Sequence, residues 1–232
     1  MIDEIVSRLE HIPPALLKRL LSGVLWEGTP ESGTLALTFD DGPDPEITPR
    51  VLDVLDENDA RGTFFLVGEK VNKYPELART IIDRGHVVGN HSMTHRSLFL
   101  ASSDDISAEI DDAQKSIADA VGIVPHLFRP PHGLFDLTGL KIVRERGLSM
   151  TLWTVLAGDY SDDSEKEILS RVEPFVRPGA ILVFHDTVQG GGLALPVMIQ
   201  TLLKISDERV VRADTVEALS FSRDIEVADA DS

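Results

Sequence analysis

Two adjacent aspartates, Asp40 and Asp41, end an apolar run of strand-forming residues and are followed at once by Gly42-Pro43. Strand side chains alternate in direction, so the two carboxylates cannot point the same way while the extended backbone continues. The Gly-Pro turn lets both lie at the strand end with different directions. Side-by-side like charges are costly unless a cation or a proton neutralises one of them. The pair therefore indicates either a cation-binding strand end or a solvated acidic turn before the next helix.

A second candidate group is the histidine pair His91 and His95, which follows a short apolar stretch at residues 87–90. Histidines at i and i+4 face the same way if the chain turns helical there. By itself the pair could equally be two solvated or core histidines. Together with Asp40-Asp41 it predicts an Asp-His-His site with an open position for water, which is the arrangement of a catalytic zinc site.

Three further segments carry polar residues just past the end of an apolar stretch. They are Phe-Arg-Pro-Pro-His-Gly at 128–133, Trp-Thr-Val-Leu-Ala-Gly-Asp-Tyr at 153–160 and Ile-Leu-Val-Phe-His-Asp at 181–186. Each alone is consistent with a strand followed by a polar turn, and Arg129 could be a surface cation. Five such segments in order match the place where a parallel barrel builds its active site, at the carboxyl ends of its strands.

Composition narrows the chemistry and the partners. The 232 residues contain 22 Lys and Arg against 39 Asp and Glu, a formal net charge of −17, which argues against nucleic acid or an anionic membrane as the main partner. No cysteine is present, so disulfides, thiolate ligands and cysteine nucleophiles are excluded, and a metal must be held by His and carboxylate. No apolar run approaches the ~18 residues of a membrane span. The acidic N-terminus does not look like a signal peptide, which predicts a cytoplasmic protein unless a leader was removed.

The elements that must position these residues alternate along the chain. Strand candidates cover residues 35–40, 62–67, 87–90, 126–129, 149–155, 180–185 and 209–213. Helix candidates cover residues 48–58, 75–84, 103–121, 137–146, 164–175 and 195–205. Repeated strand–helix units predict an α/β fold with about seven parallel strands, and the lack of a Gly-rich phosphate motif favours a barrel over a dinucleotide-binding sheet.

The two ends of the chain are interpreted separately. Residues 1–33 are predicted to be an N-terminal helical extension, with one amphipathic helix or two joined at Pro13-Pro14 that pack on the following domain; a membrane anchor is the less favoured reading. No linker divides residues 35–220, and residues 223–232 form an acidic C-terminal tail.

Residues 35–219 resemble the polysaccharide deacetylase (NodB-homology) family, carbohydrate esterase family 4. The runs TFDDGP at 38–43 and HSMTH at 91–95 match that family fully, and ARGTFF at 60–65 and GHVVGN at 85–90 are similar to it. The resemblance implies an irregular (β/α) barrel, a distorted TIM-like barrel, with residues 34–222 as the catalytic domain. It also implies removal of acetyl groups from N-acetylated sugars with a divalent metal, for which zinc suits Asp and His ligands best and cobalt, manganese or nickel could substitute.

The resemblance also implies a role for each matching residue. Asp41, His91 and His95 would bind the metal. Asp40 would be the general base, with Arg129 as its partner cation. His185 would be the general acid, oriented by Asp159. The backbone N–H of His132, between Pro131 and Gly133, would complete an oxyanion hole with the metal.

The chain departs from the family pattern at four positions that the resemblance places near the substrate. His132 stands where Tyr or Phe is usual, Leu156 replaces an aspartate, Tyr160 replaces a tryptophan, and Val183 replaces the leucine that lines the acetyl-methyl pocket. These changes predict altered substrate choice with catalysis retained. Three hypotheses follow: an N-deacetylase for a sugar, oligosaccharide or glycan; the same machinery on a non-sugar amide or an O-acetyl ester; and a non-catalytic carbohydrate-binding protein.

Overall fold

Parallel strands form one curved sheet at the centre of the molecule. The computed structural model describes Pro13, Lys18, Arg19, Leu21, residues 23–208 and residues 212–216. Its strands are β1 (Val24–Leu25), β2 (Thr34–Asp40), β3 (Thr63–Leu66), β4 (Val87–Asn90), β5 (Leu127–Phe128), β6 (Ser149–Thr151), β7 (Val155–Leu156), β8 (Ile181–His185) and β9 (Arg212–Asp214). The order across the sheet is β1-β6-β5-β4-β3-β2-β8-β7, and β9 pairs with the start of β2. The predicted α/β architecture, a distorted (β/α) barrel, is confirmed.

Helices connect the strands and cover the sheet. They are α1 (Thr48–Glu57), α2 (Gly68–Lys73), α3 (Pro75–Asp83), α4 (Ser103–Val121), α5 (Leu137–Glu145), α6 (Glu165–Val172) and α7 (Leu195–Glu208). All six predicted helices are present, and the short α2 is an addition. In the part of the chain that the structure describes, no helix combines the length and the apolar character needed to cross a bilayer.

The alternation of β2 separates two apolar layers. Leu37 and Phe39 belong to the layer between the sheet and the outer helices, together with residues of α1 and α7. Thr38 and Asp40 point to the other face, where both bind the buried Arg129. Asp40 therefore reaches the barrel interior because its strand neighbours are held outward by apolar packing.

The predicted strand at 149–155 is wrong as a single element. Its first part, β6, pairs with β5 and β1, and its last part, β7, pairs with β8. The intervening residues change neighbours: Leu152 N donates to Leu25 O, and Thr154 N donates to Ile181 O. The apolar, β-branched composition predicts extended backbone throughout, but the tertiary pairing breaks it at the middle.

The N-terminal helical prediction is wrong at residues 24–25. Val24 and Leu25 form β1, which pairs in parallel with β6, and the following Trp26 is buried. Lys18 and Arg19 are helical, while most of residues 1–22 lies outside the described residues, as does the predicted acidic tail at 223–232. Because β1 supplies one edge of the sheet, the start of the described chain is part of the barrel.

His86, which immediately precedes β4, is a buried histidine held in its neutral form. Its Nδ1 accepts a hydrogen bond from Gly62 N at 3.2 Å. Burial of the ring lowers the pKa of His86 to about 4; Asp56 opposes this shift, and Arg61 and Arg84 add to it.

This pKa predicts a defined acid sensitivity of the fold. Between pH 6.5 and 4 the unfolded chain binds a proton at His86 that the folded chain does not, so stability falls as the pH decreases through this window, by about 3 kcal/mol. His86→Gln keeps an acceptor for Gly62 and removes the titration. Urea unfolding at pH 7.5 and pH 4.5 should show a larger loss for the wild type than for His86→Gln. The exposed His126→Gln is the control, and an equal loss in all three proteins would contradict the assignment.

Candidate active site

A carboxylate and two imidazoles converge at the carboxyl ends of β2 and β4. Nε2 of His95 lies 2.9 Å and Nε2 of His91 lies 3.4 Å from Oδ1 of Asp41. The ligand atoms of the three residues lie within 4.8 Å of one another, so they could hold one metal ion. Burial would raise the pKa of Asp41, but the rings of His91 and His95 outweigh it and hold that pKa well below its usual range.

The donor set fits a cation. Asp41 Oδ1 is buried, and no well-aligned donor satisfies it although two histidine nitrogens are close. Nδ1 of His91 lies 2.8 Å from the carbonyl oxygen of Arg129 and donates to it, so Nε2 is the ring nitrogen that faces Asp41 and is placed to bind a metal. One carboxylate and two imidazoles with an open position form the ligand set of catalytic zinc sites.

Strained backbone conformations concentrate at this site. Positive φ angles, which L-residues adopt at a cost of about 1–3 kcal/mol each, occur at Asp41 (71°), Ser92 (67°), His95 (61°) and His132 (60°). Asp41 and His95 are candidate ligands, Ser92 lies in the loop of the histidines, and His132 lies in the separate loop that follows β5. The surrounding hydrogen bonds must therefore hold these loops in place.

Glu109 of α4 supports the loop that carries the histidines, and the sequence analysis did not identify it. Its carboxylate accepts hydrogen bonds from Met93 N and Thr94 N at 3.0 and 2.9 Å and from Thr94 Oγ1 at 2.8 Å. Arg96 Nε lies 2.9 Å from the same carboxylate. Its position in an amphipathic helix, 14 residues after His95, has no sequence signal of such a role.

Asp40 is fixed by a buried ion pair. Arg129 Nη1 donates to Asp40 Oδ1 at 2.7 Å and to Thr38 Oγ1 at 2.8 Å, while Nη2 donates to Leu152 O at 2.9 Å. The guanidinium lies over the ring of Phe65 with 4.0 Å to the centroid. Burial lowers the pKa of Arg129, and the carboxylate of Asp40 opposes that shift. The two adjacent aspartates thus have separate partners: Asp40 pairs with the guanidinium of Arg129, and Asp41 lies beside the rings of His91 and His95.

His185, the last residue of β8, is oriented by Asp159. Its Nδ1 lies 2.7 Å from Asp159 Oδ1, and its backbone N–H donates to Asp159 Oδ2 at 2.8 Å. Burial favours the neutral ring, but the hydrogen bond to Asp159 and the nearby carboxylates of Asp40 and Asp41 outweigh it and raise the pKa of His185 to about 9. The ring of Tyr160 meets that of His185 edge to face at 5.1 Å. A pKa of about 9 keeps the ring of His185 protonated at neutral pH.

Two glycines after β8 are required by close packing around His185. A Cβ on Gly190 would lie 2.4 Å from Cβ of His185, and one on Gly191 would lie 2.8 Å from Asp159 Oδ2. Gly191 N also donates to His185 O at 3.0 Å. The run Gly-Gly-Gly at 190–192 is visible in the sequence, but its function emerges only from this contact.

Asp186 is a second buried acid at the same strand end. It accepts a hydrogen bond from Thr48 Oγ1 at 2.5 Å, and burial raises its pKa to about 8. A Cβ on Gly42 would lie 2.7 Å from its carboxylate oxygens. Gly42 is thus needed for space where the Asp41 turn meets β8.

The polar residues open into one cavity of about 810 Å³. The site residues among its lining are Asp40, Asp41, His91, His95, His132, Gly133, Tyr160 and His185. Val183 differs from the expectation: it is fully buried and does not line the cavity, whereas Leu156, its partner on the neighbouring strand, does. Pro131 is likewise buried and does not line the cavity, and Gly133 packs against Trp153, whose ring a Cβ would meet at 2.3 Å.

Comparison with known proteins identifies similar chains. Residues 27–151 match the family model described as polysaccharide deacetylase. A peptidoglycan N-acetylglucosamine deacetylase of Bacillus cereus is 33% identical over 71% of this chain and 60% of its own length. A chitooligosaccharide deacetylase of Bradyrhizobium sp. is 38% identical over 67% of this chain and 72% of its own length. A peptidoglycan N-acetylmuramic acid deacetylase of Bacillus subtilis is 32% identical over 84% and 78%. The chain thus spans 60% to 78% of these relatives.

Solved structures show the same architecture. A peptidoglycan N-acetylglucosamine deacetylase in complex with 4-naphthalen-1-yl-N-oxidanyl-benzamide superposes with a TM-score of 0.81 and 28% identity, covering 85% of this chain and 92% of that one. A pseudoenzyme of carbohydrate esterase family 4 from Bacillus anthracis superposes with a TM-score of 0.77 and 28% identity, covering 84% and 67%.

The contacts of Glu109 predict its effect on metal binding. Glu109→Gln keeps one acceptor oxygen but loses the charge that holds Arg96 and the second acceptor that holds Thr94. The histidine loop should loosen, and zinc affinity should fall about 10- to 100-fold, as is typical when a group that orients a ligand is lost. Competition with a chromogenic chelator measures the affinity. Asp119→Asn, in the exposed ion pair with Lys115 on the same helix, is the matched control; an unchanged affinity in Glu109→Gln would exclude this positioning role.

Proposed function

Because the chain belongs to the polysaccharide deacetylase family, carbohydrate esterase family 4, we propose that it hydrolyses the N-acetyl group of an N-acetylated sugar, oligosaccharide or glycan. The single observation that supports this most strongly is the ion pair of Asp40 with Arg129, held beside the Asp41–His91–His95 cluster in one cavity. That arrangement would provide a fixed carboxylate base next to a three-ligand metal site. The similar proteins named as deacetylases of N-acetylglucosamine, N-acetylmuramic acid and chitooligosaccharides support the same bond type.

Asp41, His91 and His95 would hold one divalent metal, with zinc as the proposed ion and cobalt, manganese or nickel as alternatives. A divalent metal there would supply Lewis acidity toward water and toward the acetyl carbonyl. The orientation of His91 by the Arg129 carbonyl oxygen keeps its Nε2 available as a ligand.

Asp40 would act as the general base. One carboxylate oxygen is held by Arg129, and Oδ2 lies 3.9 Å from Nε2 of His91, so the carboxylate borders the ligand cluster. The buried guanidinium holds the carboxylate of Asp40 in an ion pair and fixes its direction. The proton of the attacking water would pass to Asp40 as the hydroxyl adds to the acetyl carbon.

His185 would act as the general acid. Nδ1 donates to Asp159, so the proton available to the substrate is on Nε2. Its raised pKa of about 9 keeps the ring protonated at neutral pH before a metal binds. An amine is a poor leaving group unless it is protonated as the C–N bond breaks, and His185 lines the cavity where that amine would depart.

His132 would contribute its backbone N–H to the developing oxyanion. Its left-handed conformation, with φ of 60°, turns the loop sharply between Pro131 and Gly133 beside the cavity. Its ring meets that of His95 edge to face at 4.8 Å, which places the loop against the ligand cluster. Loss of one such donor typically costs ~10²–10³ in rate.

A non-catalytic function on the same fold is the main alternative, since one structural neighbour is a pseudoenzyme. The present chain brings together the proposed base, acid and all three metal ligands within one cavity. Keeping this complete set with strained ligand loops is hard to reconcile with binding alone.

The reaction class is tested by acetate release. The substrates are N-acetylglucosamine oligomers, monomeric N-acetyl sugars and acetylated xylan, each measured after chelation and again after zinc is restored. Zinc-dependent release from an N-acetyl sugar is the expected result. Release from xylan alone would replace the amide by an ester, and no release with one metal bound per chain would favour a non-sugar amide.

Asp40→Asn separates the base from the ligands. The amide oxygen can still accept from Arg129, so the fold and the metal site should persist, while turnover should fall by about 10²–10⁴, the usual contribution of a general base. Metal content by elemental analysis and kcat on the best substrate are the two measurements. The exposed Asp53→Asn serves as a control, and wild-type turnover in Asp40→Asn would remove it from the base role.

His91→Ala should lose the metal as well as activity. Removing one of three protein ligands lowers affinity far more than removing a neighbouring group does. Elemental analysis after gel filtration would detect this loss. A full metal content in His91→Ala would contradict the assignment of the three ligands.

A further inference from the structure

Asp186 lies between the turn that carries the proposed ligand Asp41 and the strand that carries the proposed acid His185. It directly follows His185 at the end of β8 and is 0% exposed. Its carboxyl group lies against Gly42, the residue after Asp41, because a Cβ on Gly42 would lie 2.7 Å from both carboxyl oxygens. The carboxyl group therefore occupies the position that a side chain at residue 42 would take, and it packs directly on the ligand turn.

The ligand turn is held on two sides. Gly42 O accepts a hydrogen bond from Val67 N at 2.9 Å, and the carboxyl group of Asp186 packs on the Cα of Gly42. Asp41 has a φ of 71°, and a residue keeps such a strained conformation only where the surrounding structure determines it. The two contacts at Gly42 therefore constrain the direction in which Asp41 points toward the histidines.

A hydrogen bond fixes the carboxyl group itself. Thr48, the first residue of α1, donates from Oγ1 to Asp186 Oδ2 at 2.5 Å. The same Oγ1 accepts a hydrogen bond from Asp44 N at 2.8 Å. Thr48 and Asp44 both belong to the segment that continues the ligand turn into α1. Asp186 thus connects this segment to the end of β8.

Asp186 is uncharged at neutral pH. Its Oδ1 is buried and has no hydrogen-bond partner among the described residues. An ionised carboxylate with an unpaired buried oxygen is far more costly than a carboxylic acid in the same place. Burial raises the pKa of Asp186 to about 8; the negative charge of Asp41 adds to this shift, and Thr48 and Lys70 oppose it. A neutral acid can lie close to Asp41 without like-charge repulsion.

We propose that Asp186 is a positioning residue for metal binding: as an uncharged, hydrogen-bonded group it holds Gly42 in place and so directs Asp41 toward the metal. This inference rests on the proposed function, because it concerns the ligand set of the same site. Asp186 does not line the cavity, so it acts through Asp41 and does not touch a substrate.

Zinc affinity, measured by competition with a chromogenic chelator, tests this role without turnover. Asp186→Ala removes the packing on Gly42 and the acceptor of Thr48, so the affinity should fall about 10- to 100-fold. Asp186→Asn keeps the shape, the neutrality and an acceptor oxygen, and it should bind zinc with about the wild-type affinity. An unchanged affinity in Asp186→Ala, or an equal loss in Asp186→Asn, would overturn the inference.

Thr48 tests the same contact from the other side. Thr48→Val removes the donor and keeps the shape, so it should weaken zinc binding, whereas Thr48→Ser keeps the hydroxyl and should retain the affinity. The double variant Thr48→Val with Asp186→Ala should bind zinc no more weakly than Asp186→Ala alone, because both changes remove one interaction. Full additivity of the two changes would contradict a role through this hydrogen bond.

Thr63→Val is the control for a general loss of stability. Thr63 is 0% exposed, it begins β3 at the end away from the site, and its Oγ1 accepts a hydrogen bond from Val216 N at 3.0 Å. Its replacement should lower the free energy of unfolding and leave the zinc affinity unchanged. If Thr63→Val weakened zinc binding as much as Asp186→Ala, the effect would be one of stability and the positioning role would be excluded.

Zinc affinity and acetate release together separate this inference from the proposed function. A wild type that binds zinc but releases no acetate, with the affinity lost in Asp186→Ala, would support the positioning role and refute the proposed reaction. Zinc-dependent acetate release with an unchanged affinity in Asp186→Ala would refute the positioning role alone. A wild type that binds no zinc would overturn both.

Discussion

The buried guanidinium of Arg129 is the interaction on which the rest of the site depends. The side chain is 0% exposed, and its hydrogen bonds reach Asp40 and Thr38 on β2 and the carbonyl oxygens of Thr151, the last residue of β6, and of Leu152. Its own carbonyl oxygen orients His91. A buried cation without its partners would cost several kcal/mol. One residue thus ties together the proposed base, one proposed metal ligand and the point where the sheet changes neighbours.

This arrangement explains how two adjacent carboxylates can coexist. Asp40 faces the barrel interior and pairs with the guanidinium of Arg129. Asp41, with a φ of 71°, points in a different direction and lies beside two imidazoles. The costs of like charge and of backbone strain are offset by separate partners. Glu109 plays the corresponding role for the histidine loop, since its hydrogen bonds hold Met93 and Thr94 in place. Arg129 and Glu109 therefore position the proposed base and ligands without lining the cavity themselves.

The sequence predicted the residues that gather at one end of the strands, because their motifs are local and each follows an apolar run. It also predicted helices such as α4, because N-terminal capping and the helical spacing of apolar residues are local signals. At the start of α4, the side chain of Ser102 accepts a hydrogen bond from Asp105 N. The sequence did not predict features that depend on contacts between residues far apart in the chain. Glu109 looks like one more charged residue of an amphipathic helix, and Gly190 and Gly191 look like an ordinary flexible turn. Val183 was expected at the cavity wall, but the register that places Leu156 there is a tertiary property.

The error at residues 149–155 has the largest consequence for function. An uninterrupted strand over residues 149–155 would keep the same neighbouring strand on each side along its whole length. Instead the chain leaves β6 after Thr151, donates from Leu152 to Leu25, and joins β8 only at β7. Leu152 and Trp153, which lie between β6 and β7, both line the cavity. Because Arg129 binds the carbonyl oxygens of Thr151 and Leu152 as well as Asp40, the break between β6 and β7 is tied directly to the proposed base.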